Sequence, residues 1–234
     1  MLPISIIASW SRTSATSEIF KAALDEYVDG ATVESYETDT QVIHWRENTV
    51  FTFEDNEWSK NEGSLLFDNR RAVVWKKVDD YNSHLIFLSL FASSLAHLTR
   101  SVTQIFETSY GVEVQPLEFK LGKGSANCAR PVLAGAELTN FNSDKLVVLD
   151  GILPPNEDFF DHLDDDDIEF FRQHPHKFYL SKLYLRLGEF RTETILSREG
   201  LLTVNDPDLS LAQVVGIISD VEDVVSESGR PANA

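Results

Sequence analysis

Cysteine is nearly missing from this chain. Cys128 stands alone, which excludes an internal disulfide framework and a Cys-rich zinc site and fits a reducing compartment. Long apolar runs are missing too. The longest uncharged apolar stretch, Leu85 to Leu98, is broken by Ser89, Ser93, Ser94 and His97, and it falls short of the roughly 20 residues a membrane-spanning helix needs. The apolar start, Met1 to Trp10, has no basic region or small-residue cleavage site, so a first core strand is expected there rather than a signal peptide. Basic residues are scarce: 20 Lys and Arg against 38 Asp and Glu leave a formal net charge of −18. That balance excludes a protein whose whole surface binds nucleic acid or anionic lipid. Complete catalytic signatures are also lacking: the chain has no G-x-S-x-G and no H-E-x-x-H, and Cys128 lies in no recognisable nucleophile motif.

What is present is material for a core. With 234 residues, 42% of them hydrophobic and 11% aromatic, the chain can bury roughly 70% of its unfolded surface. The patterning predicts an α+β fold, with mainly antiparallel sheet packed on a long central helix at about 82–109 and a C-terminal helix at about 207–226. Leu88, Phe91, Leu95, Leu98, Val102, Ile105 and Phe106 follow the i, i+3, i+4 spacing of that central helix, Asp79 and Asp80 precede it, and Gly111 follows it. A first helix is expected over 17–28 with Ser17 as N-cap, and the last one from Pro207 with Asp206 before it. Strands are expected at 31–36, 40–46, 49–54, 63–67, 71–78 and 112–121, with turns at Glu47-Asn48, Asp68-Asn69-Arg70 and Glu199-Gly200. A further strand is expected from Phe178 to Arg191. The expected organisation is one domain over 1–226, with 1–110 and 111–226 as its two subdomains if it divides, and a flexible polar tail at 227–234.

Glu118-Phe119-Lys120 reads E-x-K within the strand expected at 112–121. Residues two apart in a strand share a face, so the carboxylate and the ammonium would project together. A carboxylate that holds a divalent cation, beside a lysine that positions the attacking water, is the pairing a metal-dependent nuclease needs. The motif resembles half of the PD-(D/E)xK nuclease signature. The resemblance implies Glu118 and Lys120 as catalytic residues and a divalent metal such as Mg as cofactor. It also requires an acid on the preceding strand, where this chain is expected to have its long helix. Asp79, Asp80, Glu113 and Asp150 are the acids at hand. The following run, Lys120 to Ser125, carries two glycines and two lysines but lacks the spacing of a P-loop, so it reads as a turn.

The segment 157–169 packs eight acids and no base into thirteen residues, centred on Asp164, Asp165, Asp166 and Asp167. Phe159 and Phe160 lead its apolar side. Concentrated charge steers association and apolar anchors hold it, so this segment reads as a docking surface for a protein partner that is basic or itself nucleic-acid-binding. Directly afterwards the sign inverts: Arg172, Lys177, Lys182 and Arg186 alternate with Phe178, Tyr179 and Tyr184, a combination that can track single-stranded nucleic acid by charge and stacking.

The favoured expectation is a cytoplasmic, membrane-independent and non-enzymatic protein that works by macromolecular binding and needs no cofactor, as a regulatory, inhibitory or assembly subunit. The alternative is a metal-dependent nuclease-like enzyme that uses Glu118 and Lys120, with the basic-aromatic stretch as a direct nucleic-acid track. The acidity has a competing explanation in a salty cytoplasm, which predicts an even spread of charge rather than a cluster.

Overall fold

The computed structural model describes residues 5–36, 39–53, 63–119, 121, 133–140, 145–150, 178–188 and 191–227. The chain is α+β, with antiparallel sheet packed against helices, and it divides into two compact units. One is Ile6–Pro116; the other is Leu117–Ala234 with Met1–Ser5. No described helix is long and apolar enough to cross a membrane.

The first unit contains β1 (Ile6–Thr13), α1 (Ser17–Tyr27), β2 (Thr32–Tyr36), β3 (Thr40–Phe53), β4 (Gly63–Lys77), β5 (Ser83–Ser89), α2 (Ala92–Tyr110) and β6 (Val114–Pro116). Its strands run β2-β3-β4-β5-β1, every pair antiparallel, and β6 also pairs with β1. One face carries Ile43, Val73, Trp75, Leu85 and Phe87. These pack with Phe20, Ala23 and Leu24 of α1 and with Leu95, Leu98, Val102 and Phe106 of α2. Trp75 is buried whole because its indole N–H has a partner, the Ala15 carbonyl, at 2.9 Å. The opposite face is apolar as well: Ala8, Trp10, Val42, Val74, Ile86 and Leu88 are all buried.

That two-faced burial corrects the start of the long helix. Residues 83–89 are strand, not helix, and α2 begins at Ala92. A strand covered on both faces loses its alternation, so Leu85 to Leu88 reads as a continuous apolar run that periodicity assigns equally well to a buried helix. The break falls at Phe91, whose N–H donates to Ser89 Oγ at 3.3 Å. With 19 residues, α2 is about 28 Å long. Gly111 closes it at φ 63°, in the left-handed conformation that glycine adopts without a Cβ penalty.

Two further expectations are corrected in the β3–β4 ribbon. Glu47-Asn48 and Asp68-Asn69-Arg70 are not turns. Glu47 pairs with Asn69, and Asn48 with Asp68, in the middle of one unbroken ladder from Thr40–Lys76 to Phe53–Gly63. Asn and Asp permit a turn without requiring one, and a ladder this long outweighs their preference. At the start of α1 the cap is Thr16 rather than Ser17, its hydroxyl accepting the Ile19 N–H.

The second unit contains β7 (Leu133–Asn140), β8 (Lys145–Asp150), β9 (Phe178–Leu187), β10 (Thr192–Ser197), β11 (Leu201–Val204) and α3 (Leu211–Glu227). Its strands run β11-β10-β9-β7-β8, again antiparallel. Leu183, Leu185 and Leu187 of β9, Leu196 of β10, and Leu202 and Val204 of β11 are buried, as are Val214, Ile217, Ile218 and Val221 of α3. The β10–β11 turn falls at the expected place, with Gly200 at φ 74°.

The last helix starts later than Pro207. Asp206 instead closes a turn by accepting the Asp208 N–H at 3.0 Å. Ser210 is the helix cap: its N–H reaches Gln213 Oε1 at 2.7 Å while the Gln213 N–H returns to Ser210 Oγ at 3.4 Å. This is a capping box, the S-x-x-Q spacing that satisfies two orphan donors at once. The tail expected at 227–234 begins at the last residue of α3 and otherwise lies outside the described residues.

Phe106 and Leu201 test the assignment of the core. Phe106→Ala should cost about 3–5 kcal/mol, as loss of a fully buried ring does. Leu201→Ala, at a position 40% exposed, should stay within about 0.5 kcal/mol. Urea midpoints of the two variants provide the comparison, and similar shifts for both would refute it.

Candidate functional site

Glu118 does not lie in a strand. β6 ends at Pro116, which lacks the N–H a ladder needs, and 117–119 are irregular. This stretch is held by Phe119, whose ring is 2% exposed and whose N–H donates to the Arg198 carbonyl at 2.8 Å. The Leu121 N–H then donates back to the Phe119 carbonyl at 2.9 Å, an i→i+2 closure that extended strand does not make. The expected strand 112–121 is therefore cut to Val114–Pro116, and the shared-face argument for E-x-K loses its basis. Glu118 is exposed; Lys120, and with it the pair's geometry, lies outside the described residues, as does 122–125 of the glycine-containing loop.

The acids proposed to complete that motif fall on different elements. Asp79 and Asp80 sit in the β4–β5 turn, Asp150 ends β8, and Glu113 accepts the Gln115 amide at 2.7 Å. Among the described residues, no group of three or more His, Cys, Asp or Glu side chains could hold a metal ion.

The basic-aromatic stretch is partly described. Lys182, Tyr184 and Arg186 alternate along β9 with Leu183, Leu185 and Leu187, so they share the face opposite the buried leucines. Register places Ser197, Ile195 and Glu193 of β10 beside them, and Glu137 of β7 opposite Lys182. Arg186 Nη2 lies 3.9 Å from Glu193 Oε1, with both side chains well exposed, so this pair is worth about 0–1 kcal/mol. At Arg186 the basic charge is thus met by a carboxylate of the neighbouring strand rather than left open as part of one positive track. Arg172 and Lys177 lie outside the described residues. So does the whole acidic segment 157–169, with Phe159, Phe160, Asp164, Asp165, Asp166 and Asp167.

One exposed feature was not anticipated. The β4–β5 turn presents Tyr81, 84% exposed, beside Val78, 52% exposed. The Asp79 carboxylate organises this turn: it accepts the Tyr81 N–H at 2.7 Å, the Asn82 N–H at 2.8 Å and the Asn82 side-chain amide at 2.9 and 3.0 Å. Lys77 Nζ donates to Asp80 Oδ1 at 2.9 Å. The Asn82 side chain, the Tyr81 N–H and the Asn82 N–H hold the Asp79 carboxyl below the usual aspartate range, with a smaller contribution from Arg12. The signal was legible as an Asp followed by hydrogen-bonding partners two and three residues on, the mark of an Asx turn. Once 82–109 is taken as helix, however, Asp79 reads as a helix-flanking charge.

The lowered carboxyl gives a signed pH dependence. Because folding depresses the Asp79 pKa, its contribution is complete above the ordinary aspartate value of about 3.9 and fades as pH falls through the lowered midpoint. A carboxyl chemical-shift titration should place Asp79 below that value. Asp79→Ala should speed amide exchange at Tyr81 and Asn82 about tenfold at neutral pH; unchanged exchange would show that the turn holds without it.

No protein-family model matches the chain and no curated protein matches it in sequence, so any functional reading rests on the chain's own residues.

Proposed function

We propose that the protein acts by binding another protein, one with a basic surface, as a regulatory, inhibitory or assembly subunit. The observation that carries this reading is the segment 157–169, where eight carboxylates stand beside Phe159 and Phe160 with no base among them. Clustered charge of one sign raises the encounter rate with an opposite surface, and aromatic anchors supply the short-range affinity that screened charge alone does not. A basic partner that itself binds nucleic acid suits this chemistry best, because a surface built for phosphates also accepts a run of carboxylates. The Glu193 carboxylate beside Arg186 supports the same choice over direct nucleic-acid binding.

A tagged pull-down at low and at high salt tests the proposal. A stoichiometric protein partner should be retained at low salt and released at high salt, as expected for a contact carried by charge. Replacing Asp164, Asp165, Asp166 and Asp167 together with Asn should weaken its binding about tenfold, or about 1.4 kcal/mol, without moving the melting temperature. Equal affinity of the variant would remove the segment from the interface, and nucleic acid recovered without a protein would point to the basic-aromatic strand instead.

A further inference from the structure

A cavity of about 240 Å³ opens between the first two turns of α3 and the β9–β10 turn. Two hydrogen-bonded braces hold its ends. At one end the Ser210–Gln213 capping box fixes the start of α3. At the other, Asp220 Oδ2 accepts the Gly188 N–H at 2.8 Å and ties the β-turn to the helix. Gly188 is required there: its φ is +73°, and a Cβ would meet Ile217 Cγ1 at 3.1 Å.

Gly216 is different. It lies inside α3 with ordinary helical φ, it is exposed, and a Cβ added to it would meet no described residue within 4 Å. Glycine inside a helix is destabilising relative to alanine, and nothing among the described residues requires its small size here. A local rule broken without an internal reason marks a place where something else approaches.

We infer that this cavity receives a large apolar side chain from a partner protein, presented between basic residues. Size favours a side chain: a cavity of about 150 Å³ holds a benzene ring, whereas pockets for drug-sized ligands start at about 300 Å³. Leu209 and Ile217 make the walls apolar, and Gly216 leaves the entrance open to a close approach of the partner's backbone. Thr192 and Gln213 add polar groups; the Gln213 oxygen is engaged by Ser210 at 2.7 and 2.8 Å, so its amide nitrogen is the end that can donate to an occupant. The surrounding charge selects the flanks. Asp208 adjoins Leu209, Asp220 and Asp223 follow Gly216 by one and two turns of α3, and among the described residues next to Thr192 in sequence the base is Arg191. This surface is separate in sequence from 157–169, and the inference does not depend on that segment.

The probe is a fluorescein-labelled 14-residue peptide of leucine and lysine at helical spacing, with a lysine–alanine peptide of equal charge as control. The lysine–leucine peptide should bind the full chain at least tenfold more tightly than the control, which separates the apolar anchor from attraction to a −18 protein. Gly216→Leu, which plugs the entrance without changing charge, should weaken that binding at least tenfold. Gly216→Ala should raise the melting temperature by about 1–4 °C. Amide shifts on titration should centre on Gly188, Thr192 and Gly216. Ala212→Leu, one turn earlier along the same stripe, serves as the second plug if Gly216→Leu does not fold. Equal affinity of wild type and plugged protein, no preference for leucine over alanine, or shifts that leave Thr192 and Gly216 unmoved would each overturn the inference.

Discussion

The sheet of the first unit is apolar on both faces, and the rest of that unit follows from it. Trp10 and Ile86 face one way in register, while Leu85 and Phe87 face the other way under α2. A slip of one residue would exchange the two sets, placing the small Ser9, Ser11 and Thr13 where Ala8 and Trp10 now sit. The small hydroxyl residues matter on the helix side. Ser11 and Thr13 are nearly fully buried, and Ser9 comes within 3.5 Å of Thr99 on α2. Thr13 accepts the Ala15 N–H and donates to the Glu113 carbonyl, so one side chain satisfies two chain segments that flank the core.

The same two-faced burial limited what could be read in advance. The helices whose one face is buried were legible: α1, the body of α2 and α3 all show 3.6-residue spacing. Strand β5 was not, because Leu85 to Leu88 are buried on both sides and leave no alternation to count. In α3 the spacing was visible, and Ile218 and Val221 of its apolar stripe are buried. Val214 and Ile217 join them in facing the core, whereas Leu211 and Val215 are only half-buried. A helix this rich in valine and isoleucine supports more than one apolar stripe, and only tertiary packing chooses between them.

Site residues were harder to read than elements. E-x-K has meaning only if both residues share a strand face, and a proline at 116 with a buried Phe119 two residues past Leu117 is enough to end the strand. For Lys182 and Arg186 the face was legible from alternation along β9, but their neighbours were not. Glu193 and Glu137 come from other strands, and register alone brings them alongside. Gly216 shows the reverse case: glycine inside an apolar helical pattern is visible in sequence, yet its meaning depends on the empty space above it.

The acidic excess is distributed differently in the two units, spread along the first and concentrated in the second. The first unit has seventeen acids against nine bases. The second has twenty-one acids against eleven bases, but eight of those acids fall within 157–169. Outside that segment it is close to balanced, with thirteen acids against eleven bases. A surface adapted to salt would carry its excess everywhere, since each patch must hold its own hydration. The second unit concentrates eight of its ten excess acids in thirteen residues, where the charges repel one another at a cost an even spread would avoid. At physiological ionic strength the field of such a cluster reaches about 8 Å. That range is too short to govern the solubility of the whole chain, and well matched to the last step of docking an oppositely charged surface.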